Sequence, residues 1–165
     1  MIPFTITDDD IQRAELHLLT HGGPLSHQDN LIGALGEIAV YNWINQWSPC
    51  YFSDQGCNYD ILLGDARTVE VKTQRTSVTP RLNYKVNLAL ESWIHKTDVS
   101  LWIFVRVHQS MEQGWIVASC AEDKRDLFTF HAEGDVMDNE HLYRKDTMDC
   151  PISELDDPAR LMVNA

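Results

Sequence analysis

The sequence lacks any long hydrophobic run. Its longest apolar stretch, residues 99–107, is the size of a strand, whereas a membrane-spanning helix needs about 20 apolar residues. The start of the chain also lacks a basic region followed by an apolar segment, because residues 1–6 lead directly into three aspartates at 8–10. We therefore expect a cytoplasmic protein with no membrane partner.

Paired cysteine motifs are also missing. Cys50, Cys57, Cys120 and Cys150 form no C-x-x-C pair, which disfavours a structural zinc site and favours reduced thiols. His17 and His21 share an i,i+4 spacing, but no glutamate intervenes where a metalloprotease helix would carry one. We interpret them as a surface pair near a helix end.

Basic residues are scarce, with 13 against 25 acidic residues and a net charge of −12. Such a balance excludes a protein that coats nucleic acid without selectivity, because it repels polyanions on average. The charge is unevenly distributed, however. Residues 61–110 carry 7 bases and 4 acids, while the segments on both sides are strongly acidic.

Hydrophobic periodicity predicts an α/β fold. Apolar residues at helical spacing predict helices over about 8–20, with Thr7 as the N-cap, and about 28–47. Alternating or continuous apolar runs predict strands, and the run at 99–107 predicts a buried central one. The predicted strands are 59–63, 67–74, 84–90, 99–107 and 115–119, and a short helix is predicted at 121–127.

We interpret the chain as one domain with three parts. Residues 1–27 form an N-terminal helix and turn, residues 28–130 form the core, and residues 131–165 form an acidic C-terminal segment. The last segment is rich in acids and turn-forming residues and has weak periodicity, so we expect loop and edge structure there.

The most informative stretch is Asp60 followed by Glu70-Val71-Lys72. Glu70 and Lys72 are two residues apart on a predicted strand, so both project from one face. A three-residue loop at 64–66 pairs Asp60 with Glu70 on that face, whereas a two-residue loop turns Asp60 to the other face. We predict the three-residue register.

In that register the two carboxylates lie roughly 5 Å apart at Cβ. A divalent cation between them removes their repulsion, and carboxylates suit Mg²⁺. Such a site can hydrolyse phosphodiesters by activating water and neutralising phosphate charge. Lys72 would orient the water or stabilise developing negative charge, and Gln74 would position water or phosphate from the same face.

The pattern resembles the PD-(D/E)xK nuclease superfamily. Asp60, Glu70-Val71-Lys72 and Glu37 within the helix segment G-A-L-G-E-I-A match that signature in order and spacing, although Tyr59 replaces the usual proline. The resemblance covers roughly residues 28–108. It implies a restriction-endonuclease-like αβββαβ core, with a mixed central sheet flanked by helices, in a protein of a bacterial or phage-infected cell.

The resemblance also implies roles for individual residues. Asp60 and Glu70 would be metal ligands, with the Val71 backbone carbonyl and Glu37 as further ligands, and Lys72 would be the catalytic lysine. The cofactor would be Mg²⁺, with Mn²⁺ as a substitute. Gln74 would be an accessory catalytic residue.

The basic middle of the chain supplies candidate DNA contacts. Arg67, Arg75, Arg81 and Lys85 lie close in sequence to the predicted site and could contact the phosphate backbone of duplex or branched DNA. One small chain presents one active site, so cutting both strands predicts a homodimer.

Two alternatives stay open. Glu70 and Lys72 could form an ordinary exposed ion pair, which contributes little. The chain could also be a catalytically silent binding, DNA-mimic or inhibitor protein on the same fold, since residues 131–157 carry 9 acids against 2 bases. Solubilising surface charge explains that excess equally well.

Overall fold

The computed structural model describes residues 1–21, 26–53, 57–137 and 142–163, and these residues form a mixed α/β structure. The strands are β1 (Ile2–Thr5), β2 (Cys50–Phe52), β3 (Ile61–Leu63), β4 (Thr68–Thr76), β5 (Lys85–Ala89), β6 (Leu101–His108), β7 (Gln113–Ala121), β8 (Thr129–His131) and β9 (Thr147–Pro151). The α-helices are α1 (Asp8–His21), α2 (His27–Ile44) and α3 (Leu90–His95). Short 3₁₀ helices follow at Glu122–Leu127, Ile152–Glu154 and Pro158–Val163.

Six strands form a mixed sheet in the order β1-β7-β6-β4-β3-β2. Only β4 and β6 run parallel among its neighbouring pairs. The connection between them contains β5 and α3, as a parallel pair requires a crossover rather than a tight turn. A second sheet, β5-β9-β8, is antiparallel.

The two faces of the large sheet bury different clusters. Val69 and Val71 of β4 pack with Leu101 and Ile103 of β6 against α1 and α2. The alternating residues of β6, such as Trp102, point the other way into a cluster shared with β5 and β9. Because side chains alternate along a strand, Glu70 and Lys72 belong to the face turned towards the second sheet.

Most of the predicted elements are confirmed. Helix α1 matches the prediction, and Thr7 caps it, because its Oγ1 accepts a hydrogen bond from the Asp10 N–H at 3.2 Å. The run at 99–107 is the central strand β6, buried over most of its length. The helix predicted at 121–127 is 3₁₀ rather than α.

Helix α2 ends earlier than predicted. Its last residue is Ile44, and Asn45 follows as the C-cap. Trp47 therefore lies beyond the helix, where its ring packs edge-on against Trp43 with ring centroids 5.5 Å apart. The apolar stripe continues through this contact although the helical backbone does not.

The prediction of loop and edge structure for residues 131–165 is wrong for residues 147–151, which form strand β9. Strand β9 is the central strand of the second sheet, and Asp149 and Cys150 within it are buried. Strands β1, β2 and β8 are also absent from the sequence predictions. All four strands are short, and β1 and β9 pair with β7 and β5, which lie far away in the chain, so local periodicity does not reveal them.

None of the helices in the described part of the chain is long and apolar enough to cross a membrane.

Candidate functional site

The β3–β4 hairpin has the predicted three-residue register. Ile61 pairs with Val69 and Leu62 pairs with Thr68. Ala66 has a φ of 70°, the left-handed conformation that often ends a three-residue hairpin loop. The strand pairing ends at Ile61 and Val69, and the Asp60 N–H donates a hydrogen bond to the Val69 carbonyl at 2.9 Å.

Asp60 immediately precedes β3, which begins at Ile61 rather than at the predicted residue 59. Its Oδ2 accepts a hydrogen bond from the Val71 N–H at 2.7 Å, so the carboxylate takes the place of a neighbouring strand's carbonyl. The N–H and C=O of one strand residue point to the same side. The Val71 carbonyl, one of the predicted metal ligands, therefore faces the same side as Asp60.

Burial and neighbouring acids both disfavour a charged Asp60. The pKa of Asp60 is raised to about 7, first by desolvation and then by the negative charges of Glu70 and Glu37. The Val71 hydrogen bond and the charge of Lys96 act in the opposite direction and lower the pKa. The structure thus places Asp60 within the electrostatic reach of both predicted acids.

Glu70 is the most deeply buried charged side chain of the site, with 1% of its surface exposed. Its Oε1 accepts a hydrogen bond from Lys72 Nζ at 2.5 Å and a second one from Lys96 Nζ. Its Oε2 is buried and has no hydrogen-bond partner in the part of the chain that the structure describes. One oxygen thus has two cationic partners, while the other oxygen is left unsatisfied.

Lys72 lies between the Glu70 carboxylate and the ring of Trp102. Its ammonium lies 5.8 Å from the centroid of the Trp102 ring, within the range of a cation–π contact. About a quarter of the side chain is exposed (28%), so the ammonium is not sealed in the core. Gln74 lies two residues further along the same face of β4 and is partly buried.

Glu37 is paired with His17, a residue that the sequence interpretation placed on the surface. His17 Nε2 lies 3.0 Å from Glu37 Oε2, and both side chains are mostly buried. The His17 ring also packs against Phe52 with ring centroids 5.3 Å apart. The surface interpretation is therefore wrong for His17, since the packing of α1 on α2 brings it to Glu37.

Lys96 is the residue of this site that the sequence reasoning missed. It is the C-cap of α3 and reaches Glu70 across 26 positions of sequence. Its only sequence signal is membership of the net-basic middle segment. A lysine just after a short helix has no local pattern that would predict contact with a strand residue.

The four predicted DNA-contacting residues lie in different surroundings. Arg67 is exposed and pairs with Asp65 at 2.7 Å, and Arg75 is exposed and lies 4.0 Å from Asp29. Arg81 is exposed in the loop before β5. Lys85 differs from them, because it is half-buried and its ammonium lies 3.4 Å from a carboxylate oxygen of buried Asp149.

No group of three or more His, Cys, Asp or Glu side chains arranged to hold a metal ion occurs among residues 1–21, 26–53, 57–137 and 142–163. Asp60 lies within electrostatic reach of both Glu70 and Glu37, and its carboxylate accepts the Val71 N–H.

Comparisons of the chain with protein-family models, with curated proteins and with solved structures found no match.

Proposed function

We propose that this protein is a divalent-metal-dependent DNA endonuclease of the PD-(D/E)xK type, which hydrolyses phosphodiester bonds. The observation that carries the proposal is the register of β3 and β4. It brings the Asp60 carboxylate to the Val71 N–H, beside Glu70, and Lys72 donates a hydrogen bond to Glu70 from the next position on the same face of β4.

The order of elements supports the same proposal. Helix α2 is followed by β2, β3 and β4, and then by α3 and β6, with β5 as an addition between β4 and α3. Strands β4 and β6 are parallel neighbours in the centre of the sheet. We take this αβββαβ order as a restriction-endonuclease-like core.

The residues present fit a divalent cation in two respects. The Oε2 of Glu70 is an acceptor without a donor among the residues that the structure describes. The pKa of Asp60 is raised by burial and, in smaller part, by the negative charges of Glu70 and Glu37, whose repulsion a cation would remove. Asp60, Glu70 and the Val71 carbonyl would hold Mg²⁺ or Mn²⁺, with Glu37 as a further ligand. The bound ion would lower the pKa of a coordinated water and neutralise charge on the phosphate.

The chain's own residues would then act on water and phosphate. Lys72, partly exposed beside Glu70, would orient the attacking water or stabilise the negative charge that develops on the phosphate. Gln74 would position water from the same face. Arg67, Arg75 and Arg81 would contact the DNA backbone, whereas Lys85 is less available because Asp149 holds its ammonium. A homodimer would present two such sites to the two strands.

Cleavage of duplex, single-stranded and branched DNA with Mg²⁺ or Mn²⁺ tests the proposal. We expect Lys72→Met to lower the cleavage rate at least about 100-fold. Lys124→Met serves as the matched control, because Lys124 pairs with Asp156 at 2.6 Å and takes no part in the site. Equal cleavage by wild type and Lys72→Met, or no cleavage of any DNA, would overturn the proposal.

One observation favours a second candidate, a catalytically silent binding or inhibitor protein. Lys72 and Lys96 already pair with Glu70, so the charge of this buried acid is compensated by the protein's own cations. In that case the protein would bind neither Mn²⁺ nor Mg²⁺ in calorimetric titrations. The contribution of the acidic C-terminal segment to partner binding should be tested by neutralising exposed acids such as Glu133 and Glu154. Deleting the segment would remove β9, the central strand of the second sheet.

A further inference from the structure

Lys96 comes from a different part of the fold than the other candidate site residues. It follows α3 within the connection between the parallel strands β4 and β6. Its backbone N–H donates a hydrogen bond to the Ser92 carbonyl at 3.2 Å, which anchors the main chain at the end of the helix. The side chain extends from this point to Glu70 Oε1.

Two ammonium groups therefore share a single carboxylate oxygen. Lys72 Nζ lies 2.5 Å from Glu70 Oε1, and Lys96 Nζ contacts the same oxygen. One negative charge at that oxygen faces two positive charges, which repel each other at this short separation. Lys96 also interacts favourably with Asp60, whose pKa it lowers.

Both lysines keep access to solvent. The exposed fraction is 28% for Lys72 and 25% for Lys96, while Glu70 is fully buried. A lysine ammonium is a compact charge on a flexible stem that can exchange one anionic partner for another. Glu70 cannot move out to meet a ligand, but either lysine can turn from Glu70 to an anion that arrives from solvent.

We propose that Lys96 is a second phosphate-binding cation of this site and exchanges between Glu70 and the substrate phosphate. Without a divalent cation, Lys96 neutralises Glu70. When a divalent cation occupies the acids, Lys96 is displaced and its charge becomes available to the phosphodiester. This inference rests on the proposed function for its substrate, but the competition between Lys96 and the metal ion does not depend on cleavage.

Calorimetric titration of Mn²⁺ into the full chain tests the competition. Replacing Lys96 by Met removes a positive charge that opposes the ion, so we expect Lys96→Met to bind Mn²⁺ about tenfold more tightly than wild type. Lys124→Met, which removes a lysine paired elsewhere, should bind Mn²⁺ as wild type does. Glu70 keeps Lys72 as a partner in Lys96→Met, so we expect the variant to fold, and Lys96→Gln provides a second neutral replacement.

Single-turnover DNA cleavage at saturating Mn²⁺ tests the phosphate contact. We expect Lys96→Met to cleave at least about tenfold more slowly although it binds the metal more tightly. A purely structural lysine would weaken metal binding and cleavage together, so the opposite direction of the two changes identifies the exchange. Lys96→Arg, which retains the charge, should restore the wild-type Mn²⁺ affinity.

The outcomes separate this inference from the proposed function. Unchanged or weaker Mn²⁺ binding in both neutral variants would overturn the exchange, whatever the cleavage result. Tighter Mn²⁺ binding with an undiminished cleavage rate would overturn the phosphate contact. If wild type cleaves no DNA while Lys96→Met binds Mn²⁺ more tightly, the nuclease proposal and the phosphate contact fail, and the competition for Glu70 is supported.

Discussion

Gly36 of α2 lies directly against Thr73 of β4. A Cβ atom at Gly36 would come within 1.9 Å of Thr73 Oγ1, a separation that no real side chain allows. The helix that carries Glu37 therefore approaches the strand that carries Glu70 and Lys72 at a distance that only glycine permits. This close packing sets the position of Glu37 relative to the site.

We expect Gly36→Ala to destabilise the protein by about 1–3 kcal/mol, because the added methyl group overpacks the contact between α2 and β4. Gly33 is the matched control in the same helix, since a Cβ there would meet nothing within 4 Å. Gly33→Ala should stabilise by about 0.5–1 kcal/mol through helix propensity. Urea unfolding of both variants measures the difference, and equal effects would contradict the role of the Thr73 contact.

We expect the metal-free protein to lose stability as the pH rises from about 4 towards 7. The folded pKa of Asp60 is about 7, above the ordinary value of 3.8, so in this window the native state holds a proton that the unfolded chain has released. The free energy of unfolding therefore falls as the pH rises, by about 1.4 kcal/mol for each pH unit within the window.

Thermal unfolding of wild type and Asp60→Asn across that pH range measures this effect. The amide keeps an oxygen that can accept the Val71 N–H but has no charge to titrate, so the slope should disappear in Asp60→Asn. A slope of the same size in both proteins would assign the effect to other groups. Under the proposed function, added Mn²⁺ should reduce the slope in wild type, since the ion favours the ionised carboxylate.

We expect Glu70→Gln to be strongly destabilising, by about 3–5 kcal/mol, because it leaves two ammonium groups without their buried counter-ion. Glu70→Gln combined with Lys96→Met should recover part of this loss, since it removes one uncompensated charge. Chemical denaturation of the two single variants and the double variant gives the coupling energy. Additive effects would contradict a direct interaction between Glu70 and Lys96.

The second sheet contains an independent buried polar cluster around Asp149. Its carboxylate accepts a hydrogen bond from the Tyr143 hydroxyl and lies 3.4 Å from Lys85 Nζ and 3.2 Å from His131 Nε2. We expect Tyr143→Phe to destabilise by about 1–3 kcal/mol and Asp149→Asn by about 3–5 kcal/mol, without loss of Mn²⁺ binding. A loss of Mn²⁺ affinity in a folded Tyr143→Phe variant would connect this cluster to the candidate site.

The local parts of the fold could be predicted from the sequence. Helix α1 follows from its cap and acidic first turn, and β6 follows from its continuous apolar run. The hairpin register follows from loop length, because a one-residue slip would move Asp60 to the other face. Local geometry alone therefore brings Asp60, Glu70 and Lys72 together.

Contacts between distant segments could not be predicted in this way. Lys96 reaches Glu70, and His17 reaches Glu37, only because α3 and α1 pack where they do. The weak periodicity of residues 131–165 concealed β9, whose role depends on pairing with β5, a strand from a much earlier part of the chain.

The sequence by itself determined which residues form a strand with an E-x-K pattern and which acid the three-residue hairpin register brings beside it, because hairpin geometry is local. Only the tertiary structure decided how those charges are compensated. Burial of Glu70 requires cations, and the fold provides the second one from a segment that no spacing rule connects to the strand.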